Sequence, residues 1–169
     1  ILNGNYALGD EHCVCTYRKE DRPATMEEAK RRMKKYLDDL RRFFKARGLE
    51  LKYIHVPAVS KRGTPHHHLV VNTGDLSRVG RRAMRALWPW GRCRGIELYT
   101  DDLSPLAEYL LDQGKNGQPV PGKRWTTSRN VKEPQPKERE VEAQWWQDIP
   151  RPVKGNVIDP ASVEAGENP

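Results

Sequence analysis

Residues 65–71 read Pro-His-His-His-Leu-Val-Val, and this stretch decides how the rest of the chain is interpreted. The stretch is rich in residues that favour β-structure, and it follows a turn-forming segment at 61–65. Residues 66–72 are therefore predicted to return as a strand that pairs with a preceding strand at 51–59. The hairpin places the three histidines inside a sheet.

The three consecutive histidines are predicted to divide between the two faces of that sheet. Side chains alternate along a strand, so His66 and His68 would share one face and His67 would point to the other. Two imidazoles at this spacing can bind one metal ion. A row of hydrogen-bonded or solvent-facing histidines fits the same pattern, and the pattern alone favours neither interpretation.

The elements on either side of the hairpin alternate between strand and helix patterns. Residues 12–18 are predicted to form a first strand, and Thr25 and Glu28 form a capping box ahead of an amphipathic helix that Gly48 ends. On the C-terminal side we expect a helix, a strand, a helix and a strand, at 79–88, 95–100, 104–113 and 124–128. The order β-α-β-β-α-β-α-β predicts an α+β fold with a largely antiparallel sheet, of the ferredoxin-like or RNA-recognition-motif kind.

Composition favours a polyanionic partner. The 169 residues carry a formal net charge of +7, and neutralised phosphates release counterions when such a surface binds nucleic acid. The three cysteines, Cys13, Cys15 and Cys93, lack the Cys-x-x-Cys spacing of a zinc cluster, and an odd number argues against a disulfide framework. With no apolar stretch of membrane-spanning length, these features predict a protein of the reducing cytosol.

Two regions are predicted from the change in composition along the chain. Residues 1–132 hold all of the strand and helix patterns and form the predicted domain. Residues 133–169 are charged and rich in proline, and they are predicted to form an extension to that domain.

Several segments together resemble the HUH endonucleases, in particular the bacterial rolling-circle replication initiators (Rep proteins). The histidines at 66–68, after the basic turn at 61–65, are similar to the His-hydrophobic-His motif of that class, with a histidine in the middle position. Further similarity lies in a first-strand motif at 15–17, a nucleophile helix at 106–111 and a basic segment at 123–130. The segments follow one another in the family's order and spacing.

The resemblance implies a metal-dependent nickase. His66 and His68 would bind Mg²⁺ or Mn²⁺, and Tyr109 would attack the phosphate of single-stranded DNA. The products would be a 5′-phosphotyrosine link and a free 3′-hydroxyl, with rejoining as the reverse step. The other tyrosines singled out, Tyr17, Tyr53 and Tyr99, are expected to be packing residues of strands.

The implied substrate is single-stranded DNA at the replication origin of a plasmid, phage or mobile element, in the bacterial cytosol. Basic side chains would follow the phosphate backbone and an aromatic ring would stack on a base. The residues expected to make these contacts are Lys61, Arg62, Arg124, Trp125 and Arg129.

The chain departs from the family pattern at two positions. The usual acidic third ligand corresponds to Ala58, which cannot bind metal; His55 (if a bulge shifts its face), Glu97 and water are open alternatives. A lysine common one turn after the nucleophile corresponds to Asp112, so a cation there would come from elsewhere, for example Lys115.

Two other classes of function stay open at this point. One is a single-stranded nucleic-acid-binding module that uses the same fold without catalysis. The other is an HUH transposase or relaxase, although Tyr109 has no second tyrosine close by in sequence.

Overall fold

An antiparallel sheet organises the part of the chain that the computed structural model describes, residues 1–116 and 120–134. It contains five strands, β1 (Glu11–Tyr17), β2 (Tyr53–Val59), β3 (Pro65–Val71), β4 (Gly91–Glu97) and β5 (Thr126–Thr127). Their order across the sheet is β4-β1-β3-β2-β5, and each neighbouring pair is antiparallel. The histidine strand β3 is therefore central.

Three helices and a 3₁₀ turn cover the two faces of the sheet. They are the 3₁₀ turn Leu2–Gly4, α1 (Met26–Lys45), α2 (Arg78–Ala86) and α3 (Ser104–Asn116). The first face packs against α1 and α2, where buried residues such as Tyr36 and Met84 meet Leu69 of β3. The second face packs against α3 and the 3₁₀ turn, where Leu110 and Val70 belong to one buried cluster.

Helix α1 begins where the sequence predicted. The Thr25 hydroxyl accepts a hydrogen bond from the backbone N–H of Glu28 at 3.1 Å, and the Glu28 carboxylate accepts one from the N–H of Ala24 at 3.0 Å. Two of the N–H groups that a helix start leaves without partners are thus satisfied. The predicted α+β class and the order of elements are confirmed.

The predicted bounds of the fourth strand were wrong. The strand was placed at 95–100, whereas β4 is Gly91–Glu97. Because β4 is an edge strand, the side chains of Arg92 and Arg94 are exposed on it, so no apolar alternation marks its beginning. Tyr99, expected to pack in this strand, lies beyond its end and is 85% exposed.

The remaining predictions about organisation concern the end of the chain and membranes. The extension predicted at 133–169 lies outside the described residues from 135 onward. Among the helices of the described ranges, none is long and apolar enough to cross a membrane.

Candidate active site

The register of the sheet places His66 and His68 on the second face, which α3 covers. His66 lies between Thr16 of β1 and Ala58 of β2, and His68 lies between Val14 and Val56 in the same way. The two imidazole centroids are 5.0 Å apart. The alternation of side chains along β3 therefore brings these two histidines together, as the pattern predicted.

Tyr109 meets this pair from the covering helix. Its ring lies edge-on to the His68 ring, with centroids 5.5 Å apart, and 46% of the residue is exposed. Leu110, the next residue of α3, is buried against the sheet and anchors the helix there. The predicted nucleophile is thus beside a predicted metal ligand and accessible to a substrate.

His12 is a third histidine at this site, and the sequence analysis did not single it out. Its Nε2 lies 3.1 Å from Nδ1 of His68, within hydrogen-bond distance, and its ring lies 6.2 Å from that of Tyr109. Burial lowers the pKa of His12 to about 4, so the ring is neutral at neutral pH and keeps a lone pair. A histidine on the same face of β1 as the histidine pair of β3 was the signal, but it needed the β1–β3 register to be read.

The donor set is suited to a divalent cation but is not fully assembled in the arrangement shown. Within residues 1–116 and 120–134, no three His, Cys, Asp or Glu side chains already converge as a metal site. The nitrogens of His12 and His68 are 3.1 Å apart, and two nitrogens that bind one ion at about 2.1 Å each lie roughly 3.0–3.4 Å apart. His66 is partly exposed and is held by a weak 3.4 Å contact with the Thr64 carbonyl, so its ring can turn toward the pair.

The other candidates for a third ligand lie elsewhere. β2 pairs with β3 without a bulge, which leaves His55 on the first face, where its Nε2 lies 3.0 Å from Nδ1 of His67. Glu97 is opposite Glu11 on β1, and its carboxylate accepts a hydrogen bond from Arg81 at 2.8 Å. Both candidates were wrong, because strand alternation turns them away from His66 and His68.

His67 belongs to a separate buried network on the first face. Its Nε2 is 2.9 Å from the Tyr17 hydroxyl, and His55, its partner at Nδ1, continues the network to the Thr126 hydroxyl at 3.2 Å. Burial lowers the pKa of His67 well below its usual value and that of His55 to about 4. These partners explain how the middle histidine is accommodated in the core as a neutral ring.

The predicted DNA contacts fall into three places. Lys61 and Arg62 are exposed at the tip of the β2–β3 hairpin, beyond the end of β3 that carries His66. Arg124 and Trp125 line an apolar cavity of about 350 Å³ together with Leu110 and Leu111 of α3. They therefore flank the nucleophile helix.

Arg129 lies apart from these residues. It lines a groove with Arg41 and Lys45 of α1, next to the first face of the sheet. The side chain of Lys115, the expected cation after the nucleophile, is outside the described side chains, and Asp112 occupies the position one turn after Tyr109. The structure thus does not bring Arg129 to the histidine pair.

Two arginines that the sequence analysis missed lie on the second face. Arg94 is opposite Val14 and Arg92 is opposite Thr16, so β4 extends the rows that contain His68 and His66. Both side chains are exposed. The Arg-x-Arg spacing was the available signal, since alternate residues of a strand share a face.

These features define the class of protein. A five-stranded antiparallel sheet with three helices, histidines on its central strand and a tyrosine on the covering helix is consistent with the HUH endonuclease fold.

The sequence model of a family described as replication-associated protein ORF2 matches residues 13–114, and the chain belongs to this family. No curated protein and no solved structure matches the chain. Membership is consistent with a rolling-circle replication initiator, and it supports DNA binding and endonuclease activity in general terms. The matched region includes β1, the histidine strand and the helix of Tyr109.

Proposed function

We propose that this protein nicks and rejoins single-stranded DNA at a replication origin, with Tyr109 as the nucleophile. The observation that carries the proposal is the contact between Tyr109 and the histidine face: its ring is edge-on to His68 at 5.5 Å, and His66 follows at 5.0 Å from His68. An accessible hydroxyl beside a cluster of potential ligands is the arrangement that phosphoryl transfer requires.

The proposed reaction is a balanced transesterification. The Tyr109 oxygen bonds to phosphorus while the bond from phosphorus to the 3′ oxygen breaks, which leaves a 5′-phosphotyrosine link. The 3′ oxygen leaves as a hydroxyl, so the net change moves one proton from tyrosine to the sugar. No water or other co-reactant is consumed, and the reverse step rejoins the strand.

His66 and His68 are the proposed ligands of a divalent cation, Mg²⁺ or Mn²⁺. A cation bound there supplies positive charge beside the phosphate oxygens. Leu110 fixes α3 against the sheet, and that contact holds the Tyr109 ring over the histidine face.

The proposed DNA path crosses the second face of the sheet. Arg92 and Arg94 lie in the same rows as His66 and His68 and offer phosphate contacts on the β4 side, and Lys61 and Arg62 offer them at the hairpin. The list of proposed contacts is completed by Arg124 and Trp125 beside α3, and by Arg129 for a strand that continues past β5.

The salt dependence of binding tests this path. The affinity for a single-stranded oligonucleotide should fall as salt rises, with a logarithmic slope of roughly −0.7 per phosphate contact. Replacing both Arg92 and Arg94 with Gln should make the slope less steep by about 1.4 if each contacts one phosphate. An unchanged slope would remove these two arginines from the path.

Nicking is tested with a random pool of single-stranded oligonucleotides that carry different fluorophores at the 5′ and 3′ ends, in the presence of Mn²⁺. The wild-type protein should become linked to the 3′-end label under denaturing conditions and should release a 5′-end fragment that a polymerase can extend. Tyr109→Phe should bind the pool and form no link. Tyr99→Phe, which changes an exposed tyrosine on the loop before α3, is the matched control and should react normally.

The same assay decides against the non-catalytic alternative. Binding of the pool by the wild type without any link or cut, across the pool and with both metals, would replace the nickase by a single-stranded DNA-binding module. The departure at Ala58 is the feature that favours this alternative.

A further inference from the structure

We infer that His12 is the third protein ligand of the proposed metal site. The inference rests on the proposed function, because it concerns the same ion, and it assigns a donor on β1 rather than on β2. The first argument comes from the register. The residues of β2 that lie beside His66 and His68 are Ala58 and Val56, and neither has a donor atom.

The neighbours on β1 differ in the same respect. Val14 lies beside His68 and has no donor atom, but His12, two residues earlier on the strand, points to the same face. The diagonal between His12 and His68 is within the reach of two imidazole rings. The observed result is the 3.1 Å approach of Nε2 of His12 to Nδ1 of His68.

That approach is equal to the separation of two ligands of one ion. The two rings lie within 17° of a common plane and share one hydrogen between the facing nitrogens. A neutral imidazole carries its hydrogen on either nitrogen. For both facing nitrogens to bind an ion, the donor ring of the pair moves its hydrogen to the other nitrogen, with no change in charge.

His12 also contacts the proposed nucleophile. The Tyr109 ring lies edge-on to both members of the pair, at 6.2 Å from His12 and 5.5 Å from His68. A cation held by these two rings would therefore be close to the position of the attacked phosphate. His12 is 6% exposed, so its position is fixed by the core beneath α3.

The test is Mn²⁺ binding by the full chain without DNA, measured by calorimetry. His12→Ala and His12→Gln should each lower the affinity at least tenfold, since even the loss of a group that only supports a ligand costs 10–100-fold. His67→Gln, a buried histidine of the first face, is the matched control and should retain wild-type affinity. Circular dichroism confirms that each variant is folded.

A measurement on the wild type needs no folded variant. Pulsed electron paramagnetic resonance of bound Mn²⁺ counts the imidazole nitrogens that contact the ion. Three imidazoles support the inference. Two imidazoles overturn it.

A compensating substitution separates lost coordination from general damage. Ala58→Glu places a carboxylate on β2 directly beside His66. Added to His12→Ala, it should recover most of the Mn²⁺ affinity; failure to recover any, while the protein stays folded, would count against a missing ligand.

The outcomes distinguish this inference from the function on which it rests. If His66→Ala and His68→Ala abolish Mn²⁺ binding and His12→Ala leaves it unchanged, the inference fails and the proposed nickase stands. If the wild type binds no Mn²⁺ at all, both the inference and the metal-dependent function fail.

Discussion

The buried histidine network on the first face should make the fold sensitive to acid. His55 is 5% exposed, and its two ring nitrogens face His67 and Thr126. Burial first, and then the charge of Lys30, lower the pKa of His55 to about 4, against 6.5 for an unperturbed ring. The unfolded chain therefore binds a proton at a higher pH than the folded chain does.

The direction and size of the effect follow from this difference. A lowered pKa in the folded state means that stability is complete above pH 6.5 and is lost as the pH falls toward 4. A difference of about 2.5 pKa units corresponds to about 3 kcal/mol at pH 4. By pH 4.5 the loss from His55 alone should be about 2.5 kcal/mol.

The assay is urea unfolding of the wild type and two variants at pH 7 and pH 4.5. His55→Gln removes the titrating ring, so its acid-induced loss should be smaller than that of the wild type by about 2.5 kcal/mol. Thr126→Val keeps the ring and removes the 3.2 Å contact with the Thr126 hydroxyl, so it should retain the acid-induced loss. Equal losses in wild type and His55→Gln would refute the reasoning, because the ring would then not be a buried neutral group.

Two further stability predictions follow from close contacts. Arg85→Ala leaves the Glu11 carboxylate, whose side chain is 6% exposed, without the arginine nitrogen at 2.6 Å, and should cost about 3 kcal/mol in chemical denaturation; unaltered stability would show that solvent already neutralises the carboxylate. Gly91→Ala would put a Cβ 2.1 Å from the Thr16 carbonyl oxygen and should cost about 1–3 kcal/mol. Gly4→Ala, where nothing lies within 4 Å, is the control and should fall within about 0.5 kcal/mol of wild type; equal effects would refute the clash.

Local signals in the sequence predicted most of the fold. The capping residues Thr25 and Glu28 marked the start of α1, and the turn before His66 marked the hairpin. Cys13 and Cys15, expected to be buried on one face of the first strand, are fully buried there. Each of these signals lies within a few residues of the element that it predicts.

The rest depended on pairing between distant strands. His12 and His68 are 56 residues apart, and their contact follows from a register between β1 and β3 that no local pattern specifies. The same applies to Arg92 and Arg94, which join the site only because β4 pairs with β1. Polar residues on an edge strand also hide the beginning of that strand, which is why β4 was misplaced.

The most direct test of the central claim is to locate the covalent link between protein and DNA. The protein–oligonucleotide product formed with Mn²⁺ is digested with nuclease and trypsin, and the peptide that carries a nucleotide is sequenced by mass spectrometry. The tryptic peptide 95–115 contains both Tyr99 and Tyr109, so fragment ions between the two residues are needed to assign the site. The account predicts the nucleotide on Tyr109; a nucleotide on Tyr99, or on a residue outside this peptide, would contradict it.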